Sequence, residues 1–225
     1  MKKLKIMPAA CKMQHIFKSM LAGMLIAVAG AVFLSCQVTI PDKSIAKVIG
    51  SFLFSIGLIG VLVLEADLFT GKIGYVDTWS KLGLASIALV FNLIIAFLIG
   101  LLYKGINFSI ISANGTFPFD SRLAKEWYQL LFDGFICGIL IYLAVELYKK
   151  TKSFIPVIIC VMAFILSGAE HSIADAFYLG ASQLSLVAFG KLGLIIVGNA
   201  AGSLITHWLQ RGAEYLNELP NNIQR

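Results

Sequence analysis

The apolar residues of this chain come in runs whose lengths match a bilayer, not the stripe of a soluble helix. Residues 19–36 suffice to cross about 30 Å of hydrocarbon at about 1.5 Å per residue. A polar stretch with Pro41 and Asp42 separates them from a second run, Val48 to Leu64. Four more runs follow, at Leu82 to Tyr103, Glu126 to Tyr148, Phe154 to about Ala188 and Leu192 to about Leu209. The pattern predicts an all-α integral membrane protein of six transmembrane helices in a single domain, residues 1–225. Its parts are an N-terminal segment 1–18, three spans in 19–103, an external loop 104–125, three spans in 126–210 and a tail 211–225.

Two of the runs carry groups that hydrocarbon disfavours. The fifth contains Ser167-Gly-Ala-Glu-His-Ser-Ile-Ala-Asp-Ala-Phe-Tyr178, with Glu170, His171 and Asp175; the second ends in Leu64-Glu-Ala-Asp-Leu-Phe-Thr-Gly71, with Gly74 beyond. Ionisable side chains at membrane depth are costly, serve a function and face protein or water. Glycine suits places where helical backbone is broken, and non-helical backbone persists at this depth only when buried or lining a wet cavity. Helices 2 and 5 are therefore expected to be broken and to meet near the centre of the bundle.

The two halves resemble each other. Lys81-Leu-Gly-Leu84 recurs as Lys191-Leu-Gly-Leu194, each opening a span with one amide in it, Asn92 and Asn199; Leu21-Ala-Gly23 lines up with Phe132-Asp-Gly134. Three spans repeated after an odd number of crossings are inverted in the membrane, and in such folds broken helices of the two halves form a solute site at the midplane. Gly23/Gly30 and Gly57/Gly60 are read as close-packing helix faces.

Composition excludes a soluble domain: 59% of residues are hydrophobic and 13% charged. The net charge of +6 does not point to nucleic acid, because twelve of the eighteen Lys and Arg residues fall in segments that share one side if the N-terminus is inside. That bias predicts both termini in the cytoplasm. Cys11, Cys36, Cys137 and Cys160 lack metal-ligand spacing and are read as free thiols. Residues 19–36 are read as a spanning helix and not as a secretory signal, and the Asn114-Gly-Thr116 triplet is given no functional weight.

A bare anion is unfavourable in hydrocarbon, so a passage for one must offer positive potential, donors or a proton. Half-helix N-termini supply donors and partial positive charge. Thr70 adds a hydroxyl, and His171 adds a ring whose unperturbed pKa of about 6.5 lies near ambient pH. His171 and Asp175, one helical turn apart, also have a spacing at which two side chains can share a cation.

These residues match a known family. Glu65-Ala-Asp-Leu-Phe-Thr-Gly71 resembles the Ω-loop signature of the formate/nitrite transporter family, and Gly168-Ala-Glu-His-Ser-Ile-Ala-Asp175 resembles its central-histidine motif. Gly198-Asn199 is similar to the pattern in its last helix, and Phe135-Ile-Cys-Gly-Ile-Leu-Ile-Tyr-Leu-Ala-Val145 to its fourth-helix signature. The resemblance implies an aquaporin-like six-helix protomer, a homopentamer with one pore per protomer, and passage of formate, nitrite, hydrosulfide or lactate across a bacterial cytoplasmic membrane. Thr70 and His171 fall on the family's central pair, where the anion is thought to take a proton. Glu170, Asp175 and Asn199 are assigned to the same central pore, and Phe54, Leu58, Leu68, Phe69 and Phe164 to the apolar constrictions. The vestibule Lys corresponds to Arg122 by spacing or Lys125 by identity. The chain departs from the pattern at Gly138 and Asp175, where the family usually has Asn, and its segments 72–81 and 176–190 are short.

The expected function is a proton-linked channel or transporter for small monovalent anions in which small anion, proton and lipid bilayer are the partners. No cofactor, metal or enzymatic activity is assigned. The alternatives are a neutral small-solute channel in which His171 is structural, and a metal-handling membrane protein built on the acidic residues.

Overall fold

The computed structural model describes residues 9–107 and 117–218. Lys2, Lys3, Lys5 and Arg225, all used in the charge count, and the Asn114-Gly-Thr116 triplet lie outside the described residues. Among those described, all regular structure is helical. In chain order the elements are α1 (Ala9–Thr39), α2 (Lys43–Val63), α3 (Phe69–Lys72), a 3₁₀ turn (Ile73–Tyr75), α4 (Trp79–Ile106), α5 (Asp120–Ala124), α6 (Trp127–Thr151), α7 (Ile155–Ser167), α8 (Ser172–Gly180) and α9 (Leu186–Glu218).

Five of these helices, α1, α2, α4, α6 and α9, are long and apolar enough to cross a membrane. The pair α7 and α8, bent by 57° at its break, makes a sixth span if counted as one. Local chemistry sets the boundaries. Asp42 caps α2 by accepting from the Ser44 and Ile45 N–H groups, and Thr78 caps α4 by accepting from Lys81 N–H. Glu126 and Gln129 form a reciprocal capping box at the start of α6. Helix α7 has Pro156 in its first turn and stops at Gly168, whose φ of +80° is open to a residue without Cβ.

Several boundaries differ from those expected. Helix α1 starts ten residues before residue 19, and α9 runs on to Glu218, past Leu209. The apolar run measures hydrocarbon, whereas nothing in Lys12-Met-Gln-His-Ile-Phe-Lys18 interrupts a helix, so polar turns extend both ends. The fifth run is expected to continue to Ala188, but α8 ends at Gly180 and α9 starts at Leu186. The short segments after the two acidic interruptions are unequal: nine helical residues in α8, but only four in α3 before the 3₁₀ turn.

Helices α6 and α9 pack against each other, as do α1 with α2 and α4, and α4 with α8. Glycine allows the closest of these approaches. A Cβ on Gly202 of α9 would lie 2.1 Å from Phe135 O, and one on Gly138 of α6 2.3 Å from Asn199 O. The α4–α8 crossing is as tight, with a Cβ on Gly100 falling 2.1 Å from Phe177 O. Of the faces expected to pack closely, Gly23, Gly30 and Gly57 do so, against Asn92, Phe177 and Ala29. Large apolar side chains such as Phe52, Ile56, Ile159 and Val197 are exposed on the outer surface. Cys36, Cys137 and Cys160 are buried free thiols.

Gly202→Val and Gly100→Val should push backbones apart and destabilise by about 1–3 kcal/mol or more, the usual range for overpacking. Gly105→Ala, where a Cβ meets nothing within 4 Å, should be neutral. Thermal unfolding of detergent-solubilised protein compares the three.

Candidate functional site

The site is built by one backbone arrangement that occurs twice. After α2 the chain turns at Glu65, with φ +49°, and after α7 it turns at Gly168, with φ +80°. The next N–H reaches back along its own helix, Ala66 to Val61 O at 2.9 Å and Ala169 to Phe164 O at 3.0 Å. The one after that crosses to a neighbouring helix, Asp67 N–H to Lys18 O of α1 at 3.1 Å and Glu170 N–H to Asp133 O of α6 at 3.3 Å. A buried amide then completes each turn. Asn92 Oδ1 accepts from Phe69 N–H at 2.8 Å while its Nδ2 donates to Ser19 O at 2.7 Å and Asp67 O at 2.9 Å. Asn199 Oδ1 accepts from Ser172 N–H at 2.9 Å while its Nδ2 donates to Gly134 O at 2.8 Å and Glu170 O at 2.9 Å. Each amide thus serves one N–H and one carbonyl of the turn, groups without a helical partner, and adds a bond to a carbonyl inside a neighbouring helix.

These turns bring the two interrupted runs into contact. Thr70 Oγ1 lies 2.9 Å from His171 Nε2, both residues being at most 3% exposed. His171 also caps α8, its Nδ1 accepting from Ala174 N–H at 3.3 Å. An acceptor at Nδ1 leaves the proton of the neutral ring on Nε2, so the ring donates to Thr70, and the Thr70 hydroxyl hydrogen is free to turn elsewhere.

Two cavities approach this contact: Gly71 and Lys72, next to Thr70, line one and His171 lines the other, while Thr70 itself lines neither. One, of about 480 Å³, is lined by Leu58, Leu68, Val145 and His15 and by the charged Lys18, Glu65, Asp67, Lys72 and Lys149. The other, of about 260 Å³, is lined by Phe54, Phe164 and His171 and by Arg122, Lys125, Glu170 and Asp175. The Phe54 and Phe164 rings meet edge to face at 5.9 Å, and the Phe164 ring is 6.0 Å from that of His171.

The acids are paired. Asp67 meets Lys72 at 2.6 Å and also His15, whereas Glu65, expected at membrane depth, has a side chain 83% exposed in its cavity. Glu170 joins both vestibule candidates: Arg122 Nη2 at 2.8 Å and Lys125 Nζ at 2.7 Å. Arg122 Nε also donates to Asp175 Oδ1 at 3.0 Å, and Lys125 Nζ to Asp133 Oδ2 at 2.7 Å. Burial pulls the Lys125 pKa down, but Glu170 and Asp133 beside it raise it overall, so the amine stays charged in the neutral range. The choice between Arg122 and Lys125 dissolves, since both serve the same carboxylate.

Other expectations are revised. Asn199, assigned to the pore, lines neither cavity, because its whole amide is committed to backbone. Phe69, assigned to a constriction, is buried and also lines neither; its N–H is held by Asn92. His171 and Asp175 diverge to Thr70 and Arg122, and among the described residues no three His, Cys, Asp or Glu groups cluster to hold a metal ion. Ser203 was not anticipated: its Oγ donates to Gly138 O at 2.9 Å and approaches Thr70 O at 3.4 Å. The equivalence of the two turns was legible in Ala66-Asp67 and Ala169-Glu170, an alanine before an acid at each.

The family model for formate/nitrite transporters matches residues 2–209. The chain belongs to the formate/nitrite transporter family. Among its relatives, the formate channel FocA of Escherichia coli (strain K12) is 26% identical over 176 residues, 69% of this chain and 61% of that protein. The nitrite transporter NirC of the same strain is 28% identical over 149 residues, 60% of this chain and 56% of that protein. The chain thus spans about three fifths of the length of these family members, which are a channel and a transporter and not enzymes. Two solved structures share the fold at 20% identity. One, described as an FNT family ion channel, has a TM-score of 0.75 over 94% of this chain and 92% of its own; the other, a pentameric formate channel with formate bound, has 0.74 over 93% and 98%.

Asn92→Asp and Asn199→Asp each replace two donated hydrogen bonds with a carboxylate facing two carbonyls. Either should destabilise by about 2 kcal/mol or more, since a buried group left unsatisfied costs about 1–3 kcal/mol. Denaturant unfolding in detergent, set beside an Asn217→Asp control near the end of α9, measures the effect.

Proposed function

We propose that this chain forms a pore for small monovalent anions of the formate, nitrite or hydrosulfide class, with transport linked to protons through His171. The observation that carries this is the Thr70–His171 contact, which joins the element lining one cavity to the element lining the other. Solute passes between the cavities beside that contact. Leu58 and Leu68 on one side and Phe54 and Phe164 on the other form apolar constrictions that stop ions and water and admit a small neutral acid. The anion gains positive potential from Lys72, Lys18 and Lys149, takes at the Thr70–His171 pair a proton drawn from cavity water, which leaves as hydroxide, and crosses the apolar slit uncharged.

The two halves are an inverted repeat in which helices 2 and 5 are each one broken span. The twice-used hydrogen bonds support this, and they refine the alignment: Lys18 and Ser19 serve the first turn as Asp133 and Gly134 serve the second. In these contacts Gly23, against Asn92 O, corresponds to Gly138, against Asn199 O, one helical turn beyond the Gly134 expected. The larger cavity faces the cytoplasm along with both termini. Lys18, Lys72, Lys81 and Lys149, all from segments counted as inner, gather around it. The formate channel neighbour is pentameric, and five copies of this chain assemble likewise in a bacterial cytoplasmic membrane, their contacts covering part of the exposed apolar surface.

One observation favours the neutral-solute alternative with a structural His171: both ring nitrogens are engaged within the protein. Uptake of labelled formate, nitrite and hydrosulfide into liposomes at several pH values separates the two. Proton-linked passage gives flux that rises as pH falls, with alkalinisation outside. His171→Phe then loses flux about tenfold or more, the effect of about 1.4 kcal/mol on a barrier. Transport by His171→Phe at the wild-type rate would remove the proton role.

A further inference from the structure

The smaller cavity holds a polar atom that the fold leaves unused. Asp175 is 0% exposed, its Oδ1 accepts from Arg122 Nε, and its Oδ2 has no hydrogen-bond partner among the described residues. A buried acceptor without a donor costs about 1–3 kcal/mol, and more when charged. Such an atom marks a place where a donor arrives.

Two of the cations beside it, Lys125 and Arg122, are engaged with other groups. Lys125 Nζ has three acceptors, Asp133, Glu170 and Gly168 O, which is all an ammonium can serve. Arg122 has an acceptor at each nitrogen: Glu170 and Asp175 at Nε, Glu170 at Nη2, and Pro118 O and Ser121 Oγ at Nη1. Arg122, Lys125 and Lys47 line the cavity against Glu170 and Asp175, while Asp133, outside the lining, pairs with Lys125. A solute arriving beside Asp175 meets two carboxylates, one of which has an oxygen open to a donor.

Resting on the transport function proposed above, we propose that Asp175 Oδ2 is the acceptor for a small neutral solute that donates a hydrogen bond. Protonated carboxylic acid is the natural case. The solute keeps its proton and shares it with Oδ2; no bond to carbon changes. Asp175 is then a specificity residue, selecting for a polar hydrogen before the Phe54–Phe164 pair. The titratable and charged groups facing it are Glu170 and His171 on the preceding turn, Tyr178 on α8, Arg122 and Lys125 from the α5 side and Cys137 from α6.

The test uses the full chain in liposomes, with uptake of labelled formate challenged by formamide or acetonitrile. These match formate in heavy-atom count and are neutral, and both accept hydrogen bonds, but only formamide donates. Formamide should compete about tenfold better than acetonitrile, the effect of one hydrogen bond. In Asp175→Asn, which places an amide donor at the Oδ2 position, that preference should vanish. Equal competition by the two in wild type, which needs no variant to fold, would overturn the proposal. So would an unchanged preference in a monodisperse Asp175→Asn. If wild-type liposomes take up no formate, nitrite or hydrosulfide above empty ones, the transport function fails and this inference with it. Uptake without donor preference sinks only the role of Asp175.

Discussion

Hydrocarbon offers no hydrogen bonds, so a chain that interrupts its helices inside a membrane must satisfy the freed backbone from within. Two amides do this here. Asn92 and Asn199 each accept one N–H and donate to two carbonyls, one on their own turn and one on a neighbouring helix. An aliphatic side chain would leave the N–H and the carbonyl of the turn bare, and a carboxylate would oppose two carbonyl oxygens. The turns at Glu65 and Gly168, and everything mounted on them, depend on those two residues.

What is mounted is a contact and a charge distribution. Thr70 and His171 meet because α3 and α8 begin where the turns release them. The acids adjoining the turns, Asp67 and Glu170, line separate cavities, where Lys72 pairs with the first and Arg122 and Lys125 with the second. Leu58 and Leu68 line the first cavity and Phe54 and Phe164 the second, the Phe164 ring 6.0 Å from that of His171.

Much of this was legible in the sequence, and what was not has physical reasons. Run lengths follow from bilayer thickness, so the spans were readable, though α1 and α9 outrun them because helical propensity does not stop at the hydrocarbon edge. The interruptions announced themselves through Glu65, Asp67, Glu170 and His171. The role of Asn199 did not, since an isolated amide in an apolar helix serves a pore or a neighbouring backbone equally well until the packing of α9 on α6 decides. The two halves align differently by the two signals: Leu21-Ala-Gly23 pairs with Phe132-Asp-Gly134 on composition, whereas the hydrogen bonds pair Lys18 and Ser19 with Asp133 and Gly134. Arg122 and Lys125 could not be told apart by spacing because a single carboxylate, Glu170, binds both.

The central claim is that the two turns hold His171 with Nδ1 accepting from Ala174 and Nε2 donating to Thr70. Nitrogen-15 NMR of protein labelled at histidine measures it most directly, with His15→Gln and His207→Gln substitutions leaving His171 as the single histidine of the three. At neutral pH the account predicts a bare Nδ1 and a proton on Nε2, with the Nε2 signal shifting in Thr70→Val. A proton on Nδ1, or an Nε2 signal indifferent to Thr70→Val, would contradict it.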